Sequence, residues 1–171
     1  RLVDAGCKYI QVDEPLFARK PHEAINYGID NLERCFHGCS KEIVKIVHMC
    51  CGYPDKLDAV NYPKAPLESY WKISEALNNS TIDEISLEDA HQNNNLDLLK
   101  KFGSKTIILG VVKIASSEIE SEEKINQRVQ QALEHIDKER LILAPDCGLS
   151  FLPKKLCLQK LKIMTKVAKS F

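Results

Sequence analysis

The sequence predicts an α/β fold, about five βα units forming the C-terminal portion of a (β/α)8 TIM barrel. Three observations lead there. Short runs rich in Val, Ile and Leu alternate with segments of helical period, the pattern of strands joined through helices into a parallel sheet. Several of these strands end in acidic, thiol or imidazole side chains, and parallel α/β folds carry their chemistry at the carboxyl ends of the strands. The chain opens on Arg1-Leu2-Val3-Asp4-Ala5-Gly6, which reads as the end of a helix. A complete barrel takes roughly 250 residues, against 171 here. A compact doubly wound sheet is the alternative, and the broken start favours the barrel portion. No repeat, low-complexity stretch or Gly/Ser linker divides the chain, so residues 1–171 are read as one domain.

The elements follow in order. Tyr9 to Asp13 predicts the first strand. From His22 to about His37, Ala24, Ile25, Ile29, Leu32 and Phe36 recur near the helical period. Ile43 to Cys50 is rich in β-branched residues and predicts the second strand. Pro66 suits the first turn of a helix reaching about Leu77. Glu84 to Glu88 predicts strand three, Leu96 to Phe102 a short helix stopped by Gly103, and Thr106 to Val112 strand four. Ser121 caps a helix running through Ile136, with Glu122 and Glu123 favouring its dipole. Leu141 to Ala144 predicts strand five. Pro153 opens the last helix, which carries Leu156, Leu161, Ile163 and Val167.

Composition removes several function classes. Basic and acidic residues balance at 24 each, so nothing points to a nucleic-acid partner. No apolar stretch approaches the roughly 18 residues of a membrane span. The seven cysteines are odd in number and irregular in spacing. That argues against a secreted disulfide scaffold and for a reducing, cytoplasmic protein whose thiols divide between core and metal.

The polar strand ends carry the functional signal. Side chains alternate along a strand, so Val44, Ile46, His48 and Cys50 share one face. An imidazole and a thiol then point the same way at the strand mouth. Taken alone, that pair also fits a hydrogen-bonded core histidine beside a core cysteine. Glu88 and Cys147 stand at equivalent strand ends, and zinc accepts these N, S and O donors, which favours a metal. Strand one adds Asp13 and Glu14 before Pro15.

Other polar residues have simpler readings. Cys51 faces the opposite side from Cys50 and belongs to the core. Cys35 and Cys39 flank His37 but lack further ligands for a second metal. Cys7 and Cys157 are packing residues, and His91 and His135 are surface or capping groups. The lysines of the last helix (Lys154, Lys155, Lys160, Lys162, Lys166, Lys169) form a solvated outer face.

Four segments taken together resemble the catalytic barrel of the cobalamin-independent methionine synthase family. They are Tyr9-Ile10-Gln11-Val12-Asp13-Glu14-Pro15, His48-Met49-Cys50, Ile85-Ser86-Leu87-Glu88 and Pro145-Asp146-Cys147-Gly148-Leu149. The resemblance spans nearly the whole chain. It implies zinc held by His48, Cys50, Glu88 and Cys147, and an acidic segment (Asp13, with Glu14) that binds the homocysteine amino group. It implies a methylated tetrahydrofolate as methyl donor, a small-molecule thiol as acceptor, and an N-terminal barrel half outside these residues. With four protein ligands, it also implies that thiol binding exchanges or loosens one.

Two departures bear on the donor. Ala115 stands where the family carries a histidine associated with proton transfer. The stretch from about Asn61 to Ser80 is longer than the family pattern between Cys50 and Glu88. A zinc-dependent thiol alkyltransferase with another donor or thiol is therefore a second reading, and a non-catalytic barrel remnant a third.

Overall fold

The β-branched runs form strands because their side chains pack well on a pleated, buried surface. In the computed structural model, residues 1–59 and 62–171 are described; Asn61, where the longer stretch begins, lies outside them. The strands are β1 (Tyr9–Glu14), β2 (Val44–Met49), β3 (Glu84–Leu87), β4 (Thr106–Val112) and β5 (Leu141–Pro145). All four pairings are parallel and the order is β1-β2-β3-β4-β5.

That order decides between the two sequence readings. A doubly wound sheet reverses its strand order at a switch point, whereas barrel strands follow one another in sequence around the axis. Here every strand neighbours the next in the chain. The sheet is thus a run of five consecutive barrel strands.

The two faces of the sheet have different chemistry. Val47, Met49, Ile85, Leu87, Ile107, Leu109 and Val111 face the helices and join one apolar core with Leu32, Ile73, Leu77, Leu98, Phe102, Val129 and Val167. Burying each such large apolar side chain contributes about 1.5–3 kcal/mol. The other face carries a row set by the register, Asp13–His48–Ser86–Ile108–Ile142. Three polar groups on one barrel-facing row mark the end of the sheet that bears the site.

The helices differ from expectation in detail. The first helical run is α1 (Pro21–Glu23), a π-helical stretch (Ala24–Gly28) and α2 (Ile29–Cys35). Next, α3 is Ser69–Asn78, so Pro66 lies ahead of the helix; its carbonyl accepts from Ser69 N–H at 3.0 Å in the turn that leads in. Leu96–Phe102 is a 3₁₀ run capped by Asn95, whose side chain accepts from Asp97 N–H. Then α4 is Glu122–Leu133, and Ser121 caps it as predicted, accepting from Lys124 N–H at 3.1 Å. The last helix, α5 (Lys154–Ala168), follows Pro153.

The opening residues close a helical turn. Gly6 has φ +91°. Gly6 N–H donates to Val3 O at 2.9 Å and Cys7 N–H to Leu2 O at 3.1 Å, the paired bonds of a Schellman stop.

One residue of the last helix breaks its predicted pattern. Lys160 is wholly buried, not solvated, and its Nζ meets Glu120 Oε2 at 2.9 Å and Lys113 O at 3.3 Å. The partner carboxylate sits in the loop after β4, too far along the chain for helix periodicity to reveal. No helix among the described residues is long and apolar enough to cross a membrane.

Candidate metal centre

Four donors converge at the carboxyl end of the sheet. His48 lies near the end of β2, and Cys50 follows just beyond it, since β2 stops at Met49. Glu88 follows β3, and Cys147 follows β5. The ligand atoms of His48, Cys50, Glu88 and Cys147 all lie within 4.8 Å of one another. Donors sharing one tetrahedral zinc lie about 3.3–3.8 Å apart when built from its usual bond lengths, so donors gathered this closely can serve one ion.

Each of two ligands has one atom tied back and one atom free. His48 Nδ1 is 2.9 Å from Ser86 Oγ, and Glu88 Oε1 accepts from Cys51 N–H at 2.7 Å. His48 Nε2 and Glu88 Oε2 are buried with no protein partner. An unsatisfied buried polar atom costs about 1–3 kcal/mol. Two of them meeting two thiols is what a cation would satisfy, and the mixed N, S and O set suits a borderline-soft divalent ion. The residues present fit such an ion.

The electrostatics agree. The Cys50 thiol is pushed up to about 12, first by its hydrogen bond with Cys147 and then by burial. Cys147 is lowered by the same hydrogen bond. Burial, then Asp146, push Glu88 up to about 8. Burial alone would lower His48, but the adjacent Cys50 thiol and the charges of Asp13 and Glu88 leave it raised. Without a metal the site therefore retains protons.

A supporting network escaped sequence reasoning. Tyr70, from α3, is fully buried. Its hydroxyl donates to Met49 O at 2.8 Å and accepts from Glu88 N–H at 3.1 Å, and the Cys51 thiol donates to it at 3.0 Å. It thereby joins the ends of β2 and β3. Asp146, also fully buried, accepts from Asp89 and Ala90 N–H through Oδ1, each at 2.9 Å, and from His91 N–H through Oδ2 at 2.7 Å. It ties the residue before Cys147 to the loop that carries Glu88. A tyrosine in a helix and an aspartate beside a ligand give no sequence signal of such roles.

The predicted residues sort cleanly. Asp13 pairs with His48 in the register and shares with it, Ser86 and Cys147 a cavity of about 420 Å³. Glu14 does not reach that cavity. Alternation turns it to the helix side, where Oε1 accepts from Leu16 N–H at 3.0 Å and it lies near Phe17 and Tyr27. Cys51 faces the core, as the strand period predicts. The Cys35 thiol is exposed and donates to Asn31 O at 3.4 Å. Among the described residues the four-donor cluster is the one potential metal group. His91 is half-buried and takes the capping role, its Nε2 accepting from Ile114 N–H at 3.1 Å. His135 Nδ1 lies 3.2 Å from Asp97 Oδ1.

Comparison with known proteins gives the lineage. Residues 1–170 match the family model described as the cobalamin-independent synthase, catalytic domain. The chain belongs to that family. Among curated members, the methionine synthase of Sulfolobus acidocaldarius is 32% identical over 166 residues, covering 96% of this chain and 43% of the relative. That of Saccharolobus islandicus is 29% identical over 170 residues, covering 98% and 46%. A solved B12-independent methionine synthase from a Shewanella species, in complex with selenomethionine, superposes with a TM-score of 0.86 at 28% identity. That match covers 99% of this chain and 50% of the other. The family domain described here thus spans about half the length of the methionine synthases it matches.

Proposed function

We propose that this domain carries the metal centre of a zinc-dependent methyltransferase, which moves a methyl group from a methylated tetrahydrofolate to the thiol of homocysteine and yields methionine. The observation that carries the reading is the convergence of His48, Cys50, Glu88 and Cys147 with two buried donor atoms left unsatisfied. Family membership supports the reaction class. The Shewanella relative, whose complex holds selenomethionine, supports an amino acid of that shape as product.

The chemistry that bound zinc supplies is stabilisation of the substrate sulfur as a thiolate, the competent nucleophile at neutral pH. The protein residues prepare the place for it. Ser86 fixes the His48 ring and its tautomer, the usual support of a ligating imidazole. Cys51 N–H orients Glu88 from behind. Asp13, one register step from His48 on the same face, is placed to hold a substrate ammonium in the shared cavity. In the transfer the sulfur–methyl bond forms, the nitrogen–methyl bond breaks, and the donor nitrogen takes up a proton. A reducing cytoplasmic setting keeps the cysteines available as ligands.

The unpaired edges of β1 and β5, with the half-length match to the relatives, support a further barrel portion closing on this sheet. A second reading, a thiol alkyltransferase with another donor, is favoured by Ala115 and by the longer segment after Cys50.

Metal analysis of the purified protein tests the centre, with about one zinc per chain expected in the parent and a marked loss in Cys147→Ser. Unchanged zinc in that variant removes Cys147 from the site. Methionine formation from homocysteine and methylated folate tests the reaction.

A further inference from the structure

Among the described residues, two buried polar atoms without a hydrogen-bond partner sit close together outside the metal centre: Tyr62 Oη and Lys64 Nζ. Both belong to the segment that follows Cys50. The segment is pinned by its backbone: Ala65 N–H donates to Cys51 O at 2.8 Å, and Asp58 N–H to Ala115 O at 2.7 Å. The Asp58 carboxylate accepts from Ser117 N–H at 2.7 Å. Glycine is needed where the segment begins, because a Cβ on Gly52, at φ +154°, would collide with the Pro63 carbonyl oxygen. So held, the segment walls a cavity of about 420 Å³ lined by Asp58, Tyr62, Lys64, His91, Lys113 and Ser116.

The lining is a donor surface. Lys64 Nζ sits 4.9 Å from the Tyr62 ring centroid, and that ring stands edge-on to His91. Neither contact is a hydrogen bond. His91 Nε2 accepts from Ile114 N–H, which leaves the ring proton on Nδ1. Burial, then Lys64 and Lys113, push His91 down to about 4, so the imidazole is neutral. The Lys113 ammonium has no ion pair among the described residues, and the one carboxylate of the lining is engaged by Ser117. An ammonium withdrawn from water without a partner is strongly disfavoured unless an anion completes it. The cavity adjoins the metal centre: His91 lies three residues past Glu88, and its N–H donates at 2.7 Å to Asp146, the residue before Cys147.

We propose that this cavity is an oxyanion subsite, in which Lys64, Lys113 and Tyr62 bind a carboxylate carried by one of the two substrates. It rests on the methyltransferase reading only for which substrates those are. Calorimetric titration of the purified protein with glutarate, at low salt, tests it, with glutaramide as the uncharged control. Glutarate should bind and glutaramide should not. Lys64→Met and Lys113→Met should each weaken glutarate by roughly tenfold or more, as loss of a charged hydrogen bond does, and Lys64→Arg should retain it. Melting temperature and zinc content should match the parent, which separates this subsite from the metal centre. Displacement of glutarate by p-aminobenzoylglutamate assigns the carboxylate to the donor, and displacement by homocysteine assigns it to the thiol. Displacement by neither, equal binding of glutaramide, or unchanged glutarate binding in the Lys64→Met/Lys113→Met double variant would overturn the proposal.

Discussion

The Tyr70 hydroxyl accepts the Glu88 amide hydrogen at 3.1 Å, from a helix that lies on the far side of the sheet from the barrel face. The same oxygen donates to Met49 O at 2.8 Å. One phenol thus sets the spacing between the strand that ends in His48 and Cys50 and the strand that ends in Glu88. The ligand geometry depends on it without Tyr70 touching a ligand side chain.

Tyr70→Phe keeps the ring and removes the bridge. The Glu88 N–H and the Cys51 thiol lose their partner in a buried setting, which should cost about 1–3 kcal/mol of stability. Urea unfolding measures that loss. A zinc titration against a competing chelator should show weaker binding as well, and full retention of affinity would show that the bridge serves the fold alone.

Ser86→Ala separates ring orientation from ligation. His48 keeps Nε2 for a metal, but Nδ1 loses the 2.9 Å contact that fixes the ring. Loss of such a support behind a ligating histidine typically lowers metal affinity about 10–100-fold. Cobalt substitution should still give a tetrahedral spectrum, only at higher metal concentration.

The pH response follows from burial of the carboxyls. In the metal-free fold Glu88 rises to about 8 and Asp146 to about 6, both chiefly through burial. A raised folded-state value means the native protein binds these protons more tightly than the unfolded chain. The resulting stabilisation is complete below the ordinary carboxylate range and fades as pH rises through about 6 and then about 8. Metal-free protein should therefore melt lower at pH 8 than at pH 5. Zinc competes with the protons on Glu88 and Cys50, so its affinity should climb over the same interval. Parallel melts with and without zinc check both signs; a metal-free melting temperature that rises toward pH 8 would contradict the assignment.

Lys160→Met tests the buried pair beneath the loop after β4. It leaves Glu120 buried with only the Lys113 N–H contact at 2.8 Å. Breaking one side of a buried pair costs about 3–5 kcal/mol. The double variant Lys160→Met/Glu120→Gln removes the stranded charge and should recover much of that loss in the same unfolding assay.

Much of this protein is decided locally. The five strands, their facing and the four candidate ligands follow from alternation along each strand, a property of neighbours two residues apart. That is why His48 and Cys50 are legible as one face and Cys51 as the other. The same rule, read on β1, turns Glu14 away from Asp13 and toward the helices. The barrel order rather than a doubly wound one was not local, since it depends on which strand each strand pairs with. Nor were the roles of Tyr70, Asp146 and Lys160, whose partners lie 18, 57 and 40 residues away. A polar side chain's worth depends on what burial surrounds it with, and the sequence records the side chain but not its surroundings. Local alternation thus sets the strands, their faces and the donor chemistry. Which atoms remain unsatisfied emerged with the packed fold, because it depends on contacts between residues far apart in the chain.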